Sequence, residues 1–127
     1  MMMLAVMPAG AQSKVYMTKE ISPEALVKIY KALGRPADGH RVAVKISTGE
    51  AGNPNYLKPT LISALVDSVH GTIVECNTAY AGKRNTFDAH RQTVHEHGYD
   101  SIAPVDLMDE EGQMKIPVRD RRHIKYD

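Results

Sequence analysis

The chain has 127 residues, enough for one domain and not for two. Its formal net charge of +1 gives no general electrostatic argument for nucleic acid or an anionic membrane as partner. Cys76 is the only cysteine, which excludes an internal disulfide, a CxxC zinc site or an iron–sulfur cluster made by this chain alone.

Six Tyr, one Phe and no Trp leave the core to Val, Ile, Leu, Ala and Met. Residues 1–12 are apolar, and Ala9-Gly10-Ala11 fits the small-x-small cleavage pattern of a secretory signal. They read as a signal remnant, which implies export to the periplasm, or as a disordered extension of a cytoplasmic protein. No other segment approaches the roughly 18 apolar residues of a membrane span.

Lys14–Thr18 is a short β-type run and the expected first strand. Ser22-Pro23-Glu24 then announces a helix, with Ser as N-cap, Pro at the first helical position and Glu in the first turn. Leu26, Ile29, Tyr30 and Leu33 follow at helical spacing, Gly34 suits a left-handed C-cap, and Pro36 forbids continuation. In Arg41–Ile46, Val42, Val44 and Ile46 share one face of a second strand, expected to be largely covered on the other side as well. A loop rich in Gly, Asn and Pro leads to a helix from Lys58-Pro59, with Ile62, Leu65, Val66 and Val69 as its stripe. Thr72–Glu75 is the third strand. Thr86 can cap a third helix, with Asp88 in its first turn, Phe87, His90, Arg91 and Val94 at helical spacing, and Gly98 at its end. Ile102–Leu107 reads as a fourth strand that Pro104 makes either an edge or a late start, and Met114–Val118 as a short exposed one.

This alternation predicts a layered, Rossmann-like α/β fold with a mainly parallel sheet of about four strands and crossover helices. The domain spans residues 13–118 and reads as the incomplete part of a larger one. Arg119–Asp127 is a charged tail. With no interleaved aromatics beyond Tyr126, it argues for a solvated run rather than a nucleic-acid arm.

Parallel pairing puts the loops after the second and third strands at one sheet edge, where α/β folds bind ligands. The first loop offers Lys45, Ser47, Thr48, Gly49, Glu50, Asn53 and Asn55. The second offers Glu75, Cys76, Asn77, Thr78, Tyr80, Gly82, Lys83, Arg84 and Asn85. Amides, hydroxyls and cations on Gly-permitted backbone suit a small anion; Glu50 and Glu75 would equally suit a hard metal. The bland alternative is that Gly, Asn and Pro are turn formers and the cations are solvated. Thr48–Gly52 is neither GxGxxG nor a Walker loop. Cys76 reads first as a small hydrophobe and second as a thiol at a strand end. His90, His95 and His97 lack metalloprotease spacing and read as surface or capping residues, His97 beside the helix C-terminus. Glu50, Glu75 and Cys76 are the candidates for acid–base or nucleophilic work, but no nucleophile–base pair arises by local spacing.

Val42–Ile46, Gly49-Glu50-Ala51-Gly52-Asn53, Leu57-Lys58-Pro59, Asn77–Arg84 and His97-Gly98-Tyr99 resemble the amino-terminal part of bacterial and archaeal proteins grouped as domain of unknown function 362. Members usually continue further, and many carry a ferredoxin-like segment with cysteines for [4Fe-4S] clusters. The resemblance implies an iron–sulfur-associated, redox-linked parent protein whose missing carboxyl-terminal region holds any cluster, with no cofactor in this chain. If the two loops bind a small anion, Lys45 and Arg84 would supply the cationic contacts, Asn53, Asn77 and Thr78 would orient the ligand, and Glu50 or Glu75 would be acid–base or metal groups. Cys76 stands where the family has an acidic residue, which puts carboxylate chemistry there in doubt. The alternative function is a non-catalytic binding or scaffold module without cofactor.

Overall fold

The structure, a computed structural model, describes residues 14–110. Its elements run α1 (Pro23–Ala32), β1 (Val42–Lys45), α2 (Pro59–Ser68), β2 (Gly71–Glu75), α3 (Phe87–His97), a 3-10 turn (Tyr99–Ser101) and β3 (Val105–Leu107). The strands form a parallel sheet in the order β1-β2-β3, with Val44 opposite Ile73 and Glu75 opposite Leu107. The α/β class and parallel crossovers are as the alternation predicts.

Several helix ends have a local cause. Ser22 Oγ accepts the Ala25 N–H at 3.1 Å, and Pro23 occupies the first turn of α1. Pro59 starts α2 in the same way, after Lys58, which makes no side-chain cap. Gly98 closes α3 at φ 81°, in the left-handed region where a side chain would be strained.

Alternation in the strands decides where the core lies. Val42, Val44 and Ile46 share a phase with Gly71, Ile73 and Glu75 through the register, and with Leu107 beyond them. On this face Ile46, Ile73 and Leu107 meet Ile62 and Val66 of α2, Val94 of α3 and Tyr99. Both helices therefore cover the same side of the sheet, as right-handed crossovers require. Each such side chain taken out of water contributes roughly 1.5–3 kcal/mol. Gly71 is demanded by packing, because a Cβ there would lie 2.6 Å from Val44 Cγ2.

Three sequence expectations change. Lys14–Thr18 is exposed throughout and forms no strand, so the described sheet has three strands rather than about four. The run borders α1 instead, where Tyr16, Met17 and Thr18 line a hollow together with Glu24, Ala25 and Lys28. The second face of β1 is open, since Ala43 and Lys45 are exposed. The stripe of α1 is half-buried at best, with Leu33 56% exposed. Pro104 gives the strand a late start: β3 begins only at Val105, among the described residues it pairs with β2 alone, and the Pro104 carbonyl accepts the Ile73 N–H at 2.9 Å. Residues 1–12, Met114–Val118 and the tail from Arg119 lie outside the described residues.

Candidate functional site

Glu75 is the last residue of the central strand, and its side chain falls on the covered face in phase with Ile73. A carboxylate delivered under a helix layer must be paired or it destabilises the fold. The pairing assembles the site. Glu75 Oε1 accepts from Arg84 Nη1 at 2.9 Å, and Oε2 accepts the Thr48 N–H at 2.8 Å. His90 of α3 brings Nε2 to 3.1 Å from Glu75 Oε2 and 3.1 Å from Thr48 Oγ1. Its Nδ1 lies 2.9 Å from Asn77 Oδ1. Glu75, Arg84, Thr48 and His90 are all buried, and every buried side-chain nitrogen and oxygen of the described residues has a partner.

The loop after β1 is held to the same cluster from two sides. His97 Nδ1 donates to the Thr48 carbonyl at 2.6 Å, and the Tyr56 ring stacks on the His97 ring at 3.7 Å. Gly49, at φ 80°, turns the chain so tightly that a Cβ would lie 2.5 Å from the Tyr56 Cβ. The turn delivers Glu50 to the outer side of Arg84. Glu50 Oε1 accepts from Arg84 Nε at 3.1 Å and pairs with Nη2, while Arg84 Nη2 also donates to the Tyr80 hydroxyl at 3.0 Å. Arg84 Nη1 reaches Ser47 Oγ at 3.3 Å. The loop after β3 joins as well, where the Asp109 carboxylate accepts the Asn77 N–H.

The electrostatics follow from this arrangement. The hydrogen bond from Arg84 is the main reason that the Glu50 carboxyl sits below its ordinary value, with partial burial working the other way. Burial alone would lower Arg84, but its bond to Glu50 and the charges of Glu50 and Glu75 outweigh that and raise it. Arg84 is therefore a fixed cation between two carboxylates of unlike exposure: the Glu50 side chain is 43% exposed and that of Glu75 5%.

The sequence-predicted residues divide accordingly. Thr48, Glu50, Glu75, Asn77, Tyr80 and Arg84 come together. Gly49 and Gly82 shape the two loops; the Gly82 backbone lies close enough to Glu50 Oε2 that a Cβ would touch it at 3.5 Å. Thr78 closes its own loop through its N–H to the Arg84 carbonyl at 2.8 Å. Asn53 is spent within the first loop, its Oδ1 accepting the Asn55 N–H at 2.8 Å. Lys45 does not join: it lies on the open face of β1, in register with Val74, and Nζ donates to the Ile46 carbonyl at 2.6 Å. Cys76 is exposed, one residue past Glu75.

His90 and His97 correct the surface reading. Both are buried, in the same helical phase as Val94. That phase was the available signal, since a histidine in line with an apolar stripe faces the core. Asn77, His90 and Thr48 form a hydrogen-bonded series that resembles an orienter, a base and a nucleophile. Thr48 and His90 are both 0% exposed, so a substrate reaches neither. The series works as a clamp between the loops.

The position between the two carboxylates, which a hard metal would require, is taken by the Arg84 guanidinium. Among the described residues no group of three or more His, Cys, Asp and Glu is placed to hold a metal ion. A [4Fe-4S] cluster does not fit the chain's one cysteine, Cys76, because such clusters are held by several thiolates. Among the described residues no helix is long and apolar enough to cross a membrane.

Fold and cluster together define an open parallel α/β unit whose strand-end loops are stitched by a buried Arg–Glu–His network. The chain belongs to the family described as Domain of unknown function (DUF362), which it matches over residues 42–126. That span contains β1 to β3 and every residue of the cluster. No curated protein and no solved structure matches it.

Proposed function

We propose that the carboxyl edge of the sheet binds a small anionic ligand or cofactor, with Arg84 as its cationic contact. One observation carries the reading: β1 and β2 pair in parallel, so the loops leaving them stand side by side, with an arginine between them. Open α/β sheets bind ligands at this edge, and a guanidinium held rigid by Glu75 loses little entropy on engaging an anion. Ser47, Asn77, Thr78 and Tyr80 are the nearby polar groups with exposed surface. Within a longer parent protein, this edge would serve an iron–sulfur-associated, redox-linked process, as the family resemblance implies.

A second reading has its own support. Glu50, Glu75, Tyr80 and Ser47 occupy the donors of Arg84, as expected of a cation whose purpose is to lock two loops in a non-catalytic scaffold. Titrating the isotope-labelled full chain with phosphate and with acetate separates the two. Ligand binding predicts saturable amide shifts confined to Ser47–Asn55 and Cys76–Asn85, lost in Arg84→Gln. Shifts that stay linear and spread over the surface would leave the scaffold reading. The absorption spectrum and metal content of the complete gene product test the iron–sulfur association separately.

A further inference from the structure

The two carboxylates on Arg84 are held very differently. Glu75 has three partners in Arg84 Nη1, the Thr48 N–H and His90 Nε2, and its side chain is 5% exposed. Removing it from Arg84 would leave a buried charge unpaired. Glu50 is bound through one oxygen to the outward Nε and Nη2 of Arg84, its side chain is 43% exposed, and it needs only to swing into water to be solvated. It rides on a loop turned by glycines on both sides, Gly49 at φ 80° and Gly52 at φ 76°. A hollow of about 280 Å³ flanks the same loop, lined by Ala51, Gly52, Lys83, Gln92 and Glu96 among others.

Resting on the anion-binding reading above, we propose that Glu50 is an internal stand-in for the ligand, and that the ligand is a small carboxylate that enters by displacing it from Arg84. The outward side of the guanidinium already receives a carboxylate, with Tyr80 OH donating beside it at 3.4 Å to the same oxygen. An incoming carboxylate keeps the charge-assisted bonds and the Tyr80 contact, and the freed Glu50 rehydrates. The buried side of Arg84 stays on Glu75 throughout, so the cation does not move. Lys83 and Glu96 both line the hollow, so it contributes no net charge beside the loop.

The competition makes a quantitative prediction. Apparent affinity is reduced by the fraction of molecules in which the site is free. If Glu50 holds Arg84 for roughly nine-tenths of the time, Glu50→Gln tightens acetate binding about tenfold. Acetate and phosphate are titrated against the full-length wild-type chain, Glu50→Gln and Glu50→Ser, following the Arg84 Nε–H resonance, with melting curves confirming that each is folded. Tighter acetate binding in both variants supports the proposal. Saturable acetate binding in the wild type that is unchanged or weaker in both variants overturns the stand-in role and leaves the anion site intact. Phosphate binding without acetate binding overturns the carboxylate assignment. Saturation by neither anion, in any of the three proteins, overturns both this inference and the reading it rests on.

Discussion

At the scale of single residues, Glu75 decides more than any other side chain of the cluster. The parity of β2 points it at the helix layer, where Ile73 precedes it and α3 covers it. Its three partners come from three places in the chain: Thr48 after β1, Arg84 before α3 and His90 within α3. Glu75→Ala leaves Arg84 and His90 facing a hole without their anion and should cost about 3–5 kcal/mol, the usual penalty for breaking a buried pair from one side. Glu75→Gln, which preserves shape and the Thr48 contact, should lose less. Urea unfolding of the two variants reads the difference. Equal and small losses would mean that water reaches the cluster. Glu50 belongs to the same network, and Glu50→Ala should lower the urea midpoint by less than Glu75→Ala, because the half-exposed Glu50 carboxylate needs no partner while the buried Arg84 keeps Glu75 and Tyr80.

At the scale of elements, the helices show which local signals carry structural weight. Ser22 and Thr86 both precede a helix in extended backbone, but only Ser22 bonds the helix with its side chain. Ser22→Ala should therefore cost about 1 kcal/mol, and Thr86→Ala within about 0.5 kcal/mol of nothing, in matched denaturant titrations. Similar losses for the two would remove the distinction. The same elements show how far the sequence could be read. Ser22-Pro23, Pro59 and Gly98 mark helix ends by local chemistry, so α1, α2 and α3 were legible from composition and spacing. Strand pairing is not local: Lys14–Thr18 has the look of a strand but borders α1 and pairs with no strand, while Val105–Leu107 reaches β2 in only three residues. The co-location of the two loops followed from parallel alternation alone. Missing from that reading was the direction of the histidines. Their polarity argued for the surface, while the phase of His90 and His97 with Val94 argued for the interior, and waiting partners, Glu75 for His90 and the Thr48 carbonyl for His97, let the phase win.

At the scale of the whole molecule, Tyr99 links the site to stability against base. Its ring is 0% exposed at the end of α3, and its hydroxyl donates to the Leu57 carbonyl, joining the third helix to the loop that precedes α2. Burial foremost, then the charge of Glu75 and the neighbouring Tyr56, push its phenol up to about 12 from the ordinary 10. The raised value fixes the sign. Below pH 10 the phenol is neutral in both folded and unfolded chains, and its contribution is fully present. Between pH 10 and 12 the unfolded chain ionises while the folded chain still holds the proton, so stability falls as pH rises through this window. Two pH units of separation correspond to roughly 2.7 kcal/mol, a large share of the 5–15 kcal/mol that ordinarily holds a domain folded. The wild-type urea midpoint should therefore drop steeply from pH 10 to pH 12. Tyr99→Phe should begin about 1 kcal/mol lower at neutral pH, having lost the bond to Leu57, and then follow a shallower alkaline limb, because a phenylalanine has no proton to lose. Lysines and the remaining tyrosines titrate alike in both proteins, so subtracting the two curves isolates Tyr99. Parallel limbs would show that water reaches the hydroxyl in the folded chain, and that the loop carrying Leu57 opens without the rest of the domain.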